Sequence, residues 1–99
     1  MGKLVRDGIP GFIERDGRNA NIRVLDDHEF DRALREKLVE ESNEAKEANG
    51  TDLLMELGDV LEVLIALAKA NGHSLSEVDA ARTTKSQTHG SFTKRLFLE

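Results

Sequence analysis

Between Leu53 and Leu67 nine residues are large aliphatics: Leu53, Leu54, Leu57, Val60, Leu61, Val63, Leu64, Ile65 and Leu67. Wound at 100° per residue they cover roughly 200° of a helix, about twice the stripe that a one-sided surface helix requires. A helix of this kind has to be covered on two sides. A membrane would cover it, but Glu56, Asp59, Glu62 and Lys69 interrupt the run, at about 2.5–3.5 kcal/mol each at a bilayer centre. No membrane is expected. With 99 residues the chain is sized for a single domain, 1–99, so the cover is expected from a second helix and from further copies of the same chain.

The second helix is legible upstream. Asp26 or Asp27 can cap a helix running to about Ala48, with Phe30, Ala33, Leu34, Leu38, Ala45 and Ala48 on one stripe. Asn49-Gly50 breaks it, Thr51 is expected to cap the aliphatic helix, and Gly72 ends that helix after Asn71. Ser74-x-x-Glu77 is a capping box that opens a further helix to about Thr88. Ile9-Pro10 starts a short helix that Asp16-Gly17 ends; Asn21–Leu25 is a brief extended stretch, and Phe92–Leu98 is expected to form a short strand. The fold class is therefore all-α: an antiparallel hairpin of two long helices plus short helices. Assembly as a homodimer or homotetramer would complete a four-helix bundle.

Composition narrows the function. No cysteine is present, which excludes a disulfide scaffold, a cysteine nucleophile and a thiolate zinc site. A net charge of −5 and only four aromatics, all Phe, argue against a nucleic acid polymer as partner. The first residues hold no apolar signal run, so a cytoplasmic location is expected. Charge is also segregated. From Asp26 to Glu62 there are 13 acids against 4 bases, whereas Ala80–Leu98 contains no acid.

Positions 34, 38, 41, 45 and 48 step by four and three, a heptad seam in which every residue is apolar except Glu41. A carboxylate there loses water unless something compensates it. Glu44, one turn on, adds a second negative charge about 5–6 Å away at Cβ. When the two long helices fold back around Gly50, residue i faces residue 100 − i. Glu44 then lies level with Glu56, and Glu41 with Asp59, roughly 9 and 14 Å along the axis from the turn. Spacing by itself leaves two readings open: an acidic face in water, or a site for a divalent cation. Glu41 on the seam and the matched heights favour the cation, and all-oxygen ligands suit Mg²⁺ or Mn²⁺ rather than zinc.

These residues resemble a known family. Glu41-x-x-Glu44 followed by Glu56-Leu-Gly-Asp59-Val is similar to the metal motif of the all-α nucleoside triphosphate pyrophosphatases, which include the MazG-like and phosphoribosyl-ATP pyrophosphohydrolase enzymes. The opening Lys3-Leu-Val-Arg6-Asp7-Gly-Ile-Pro10 and the closing Lys85…Gly90-Ser-Phe92-Thr-Lys94-Arg95-Leu-Phe-Leu resemble the two ends of one phosphoribosyl-ATP-pyrophosphohydrolase-like branch. The sequence departs from that pattern at Gly8, where Lys is expected, at His89 for Arg and at Ser91 for Gly, and its acidic motifs are closely spaced. The resemblance implies Mg²⁺-dependent hydrolysis of a nucleotide to its monophosphate and pyrophosphate. It places the metal on Glu41, Glu44, Glu56 and Asp59, makes Glu40 the candidate to orient or deprotonate a water, and makes Lys3, Arg6, Lys85, Lys94 and Arg95 the candidate phosphate-binding cations. The departures keep open an alternative, a helical dimer that binds a nucleotide or protein without turnover.

Overall fold

In the computed structural model, which describes residues 2–99, the chain forms four helices: α1 (Ile9–Arg15), α2 (Asp27–Glu47), α3 (Gly50–Ala70) and α4 (Leu75–His89). The described residues contain no strand, so the all-α expectation holds. The long helices begin and end where side-chain chemistry dictates. Asp26 accepts from the Glu29 backbone N–H at 2.8 Å, while the Glu29 carboxylate accepts from the Asp26 N–H at 3.3 Å, a reciprocal cap for α2. Ser74 and Glu77 form the same arrangement at 3.1 and 3.0 Å and open α4.

Only Ala48 and Asn49 separate α2 from α3. Asn49 is extended, and Gly50 takes φ +57° as the first residue of α3, a conformation that glycine adopts without penalty. The reversal is thus complete before Thr51. This corrects the expected cap: Leu53 N–H already donates to the Asn49 carbonyl at 3.2 Å, and Thr51 lies inside the helix. At its other end α3 closes on Gly72, φ +79°. There His73 N–H donates to the Ala68 carbonyl at 2.8 Å and Gly72 N–H to that of Lys69 at 3.1 Å, which satisfies two terminal carbonyls.

The two long helices pack along their length as an antiparallel hairpin, and α4 packs on α3; no other pair of helices among the described residues packs together. A polar clamp fixes the open end of the hairpin. Asn71 Nδ2 donates to Asp31 Oδ1 at 2.7 Å, and Arg35 Nε to Asp31 Oδ2 at 2.9 Å. These bonds hold the Asp31 carboxyl below its usual pKa, with Arg35 the larger cause and Asn71 the next.

The interior is small. Leu34 and Val63 are the buried hydrophobic residues, and the buried charged residue is Glu41. The accessible surface is 8765 Å², where a compact monomer of this mass exposes about 5,600 Å². The radius of gyration is 17.0 Å, against about 13 Å for a compact domain of similar length. Much of the surplus is aliphatic: Leu54, Leu57, Leu61 and Leu64 stand 36–67% exposed along one line of α3. The expected strand at Phe92–Leu98 is absent. Phe92, Leu96, Phe97 and Leu98 are 85–96% exposed, and a strand has no stability without a neighbour to pair with.

Candidate metal centre

The α2 stripe that buries Leu34 carries Glu41 inward as well, and Glu41 retains only 8% of its surface. From α3, Glu56 and Asp59 meet it half-buried. Each of the three offers a carboxylate oxygen within 4.8 Å of those of the other two. On the same side chains, Glu41 Oε2 and Glu56 Oε2 are buried and have no hydrogen-bond partner among the described residues. A buried anionic oxygen left unpaired is costly, and a hard divalent cation is the partner that all-oxygen donors fit.

Glu44 is exposed and lies outside this trio, but its charge acts on two of its members. Loss of water is the main cause of the raised Glu41 pKa, and Glu44 is the next; Lys37, its Nζ 3.5 Å from Glu41 Oε1, opposes them with smaller effect. Glu56 is pushed up to about 7, first by desolvation and then by Glu44, Asp59 and Glu41. Folded Glu56 therefore keeps a proton that the unfolded chain releases near 4.5, and stability falls as pH rises between those values. Asp31 and Glu77 have lowered pKa values and act below this window. Chelator-treated protein should lose Tm as pH climbs from about 5 to about 7.5, and Glu56→Gln should flatten the slope. Thermal melts across pH check this, and a Tm that rises through the window would contradict it.

Of the five expected phosphate-binding cations, the fold brings one to the pocket. Arg6, just ahead of α1, places Nη2 2.7 Å from Asp59 Oδ1 and Nη1 3.6 Å from Glu62 Oε2. Lys3, Lys85, Lys94 and Arg95 are exposed and form no ion pair among the described residues. Glu40 stands beside the pocket, 3.4 Å from Lys37 Nζ. The sequence reading passed over Lys37, which lies one turn before Glu41 on the same face of α2, where an i,i+4 ion pair is expected. Nor does it single out Glu62, the second carboxylate beside Arg6.

Fold and site together define a small all-helical protein with a cluster of converging carboxylates. Neither a protein-family model nor a solved structure matches the chain. An uncharacterized protein of Mycolicibacterium smegmatis is 45% identical over 58 residues, 59% of this chain and 59% of that protein.

Proposed function

We propose that the chain is a Mg²⁺-dependent nucleotide pyrophosphohydrolase that releases pyrophosphate and leaves the nucleoside monophosphate, working in the cytoplasm as a homodimer or homotetramer. The observation that carries this reading is the pair of buried, unpartnered oxygens on Glu41 and Glu56, within a trio of carboxylates that Asp59 completes. Such a trio is a liability in an empty protein and an asset around a cation. The resemblance of both acidic motifs to the all-α nucleoside triphosphate pyrophosphatases, and of both chain ends to their phosphoribosyl-ATP-pyrophosphohydrolase-like branch, gives the cation its chemistry.

In this reading Glu41, Glu56 and Asp59 hold the ion, and Glu44 adds negative charge from the next turn. Mg²⁺, or Mn²⁺ in its place, would neutralise the phosphate chain and lower the pKa of a water. Glu40 orients or deprotonates that water, with Lys37 steadying its carboxylate. Arg6 enters from the Asp59 side of the pocket, and Lys3, Lys85, Lys94 and Arg95 are assigned to phosphate oxygens that the ion leaves uncovered. The exposed leucines of α3 are the face for a further copy, which would make the four-helix bundle.

The direct test is a screen for pyrophosphate release from standard, deoxy and modified nucleoside triphosphates and from phosphoribosyl-ATP, with Mg²⁺ and with Mn²⁺. Release from at least one nucleotide is expected. Nucleotide-dependent thermal stabilisation without release would instead favour the non-catalytic binding dimer. The ion alone has its own signature. At a hundredfold excess over Kd, Mg²⁺ should raise Tm by about 10 °C, and the rise should vanish in Glu41→Gln.

A further inference from the structure

The contact between Arg6 and Asp59 joins parts of the chain 53 residues apart. Among the described residues Asp59 forms its ion pair with Arg6 alone, as Glu41 does with Lys37. The two cations pair with acids of opposite helices, Arg6 with Asp59 of α3 and Lys37 with Glu41 of α2, and Glu56 has neither. Arg6 differs from Lys37 in one respect that matters. Its side chain is 57% exposed, whereas that of Lys37 is 19% exposed. Leu4 and Val5 before it are half-buried, and the Arg6 carbonyl accepts from Ile9 N–H at 3.0 Å. The segment leading to Arg6 is thus partly packed, while its guanidinium reaches through solvent.

We propose that Arg6 is an exchangeable cation: it holds Asp59 in the metal-free pocket, yields that carboxylate to a divalent ion, and then clamps the phosphate anion that arrives with the ion. This rests on the metal reading of the pocket. The chemistry of the two partners makes the exchange favourable. A divalent cation binds a carboxylate oxygen more strongly than a half-exposed guanidinium does, because an exposed ion pair contributes little. A planar guanidinium released beside the ion matches two oxygens of a phosphate group. The arginine would thus keep Asp59 oriented while the pocket is empty and change partners without moving the main chain.

The test measures two affinities whose changes have opposite signs. Mn²⁺ binding is followed by the electron paramagnetic resonance signal of the free ion, and inorganic pyrophosphate binding by calorimetry with Mg²⁺ present. Removing the competitor in Arg6→Ala should tighten Mn²⁺ about two- to fivefold and weaken pyrophosphate about tenfold or more. Arg6→Lys should fall between wild type and Arg6→Ala in both. A merely structural arginine would weaken both ligands together, and that result, or an unchanged Mn²⁺ affinity, overturns the exchange. If wild-type protein binds no Mn²⁺ at all, the metal reading fails along with it. Binding of Mn²⁺ that is lost in Glu41→Gln, without the opposite-sign pattern at Arg6, leaves the metal reading standing and removes the exchange alone.

Discussion

Replacing Glu41 or Glu56 by Gln should move stability and activity in opposite directions. In the metal-free protein each substitution removes one negative charge from a set that repels itself, and the Glu56 pKa is already pushed up to about 7 by desolvation first and by that repulsion next. The variants should therefore melt higher than wild type in chelator at about pH 7.5. With Mg²⁺ the order should invert, because the stabilising ion is lost with its ligand. Pyrophosphate release should fall about 100- to 1,000-fold, the scale of losing an ion worth several kcal/mol to the transition state. An acidic face that merely sits in water would behave otherwise. It would show the gain in chelator, no inversion, and no change in any activity. Melting curves with and without Mg²⁺, alongside a release assay on the same preparations, separate the two.

That inversion is derivable because the site was largely legible before the fold was known. Asn49-Gly50 fixes where the chain doubles back, the heptad seam fixes which face of α2 turns inward, and together they set the pairing of Glu41 with Asp59 and Glu44 with Glu56. That register brings Glu41, Glu56 and Asp59 together, but it also put Glu44 in the set, and the exposed Glu44 lies outside the trio. What the register does not contain is the arrival of a segment from outside the hairpin. Arg6 reaches Asp59 from an irregular stretch ahead of α1, and no periodicity relates position 6 to position 59. The resemblance of the opening segment to the phosphoribosyl-ATP-pyrophosphohydrolase-like branch is what singles out Arg6, and it supplies no carboxylate partner for it. The Thr51 cap fails for a local reason: a hydroxyl after Asn-Gly looks like a cap, but the positive φ of Gly50 completes the turn one residue earlier. The strand expected at Phe92–Leu98 is absent because a short run with apolar residues at both ends supplies no partner strand to pair with. Its exposed aromatic and aliphatic side chains, like those of α3, belong to the part of the problem that one chain does not close.

The line of Leu54, Leu57, Leu61 and Leu64 makes that openness testable. The four positions step by three, four and three, a heptad seam on a 21-residue helix, and the seam is rotated away from the face that packs on α2. A leucine gains about 1.5–3 kcal/mol on moving from water to a packed interior, so a seam presented by two copies outweighs the small core around Leu34 and Val63. The surplus of roughly 3,000 Å² over a compact monomer exceeds the ~800 Å² that each partner gives to a standard interface. A second copy can thus be seated with surface left for a further pair. Wild-type protein should accordingly scatter light as a species of at least twice 11.0 kDa, with a Tm that rises with protein concentration. The double variant Leu57→Glu/Leu61→Glu changes side chains that are 52% and 47% exposed in the single chain, where the added like charges cost about 1 kcal/mol. Between two copies it would bury four carboxylates against apolar neighbours. The expected result is a monomer by light scattering, loss of the concentration dependence, and a Tm lower by 10 °C or more, with helical circular dichroism much reduced at the temperature where wild type is fully folded. Unchanged mass and melting would mean that the seam faces water in solution, and the surplus surface of this chain would then be covered elsewhere or not at all.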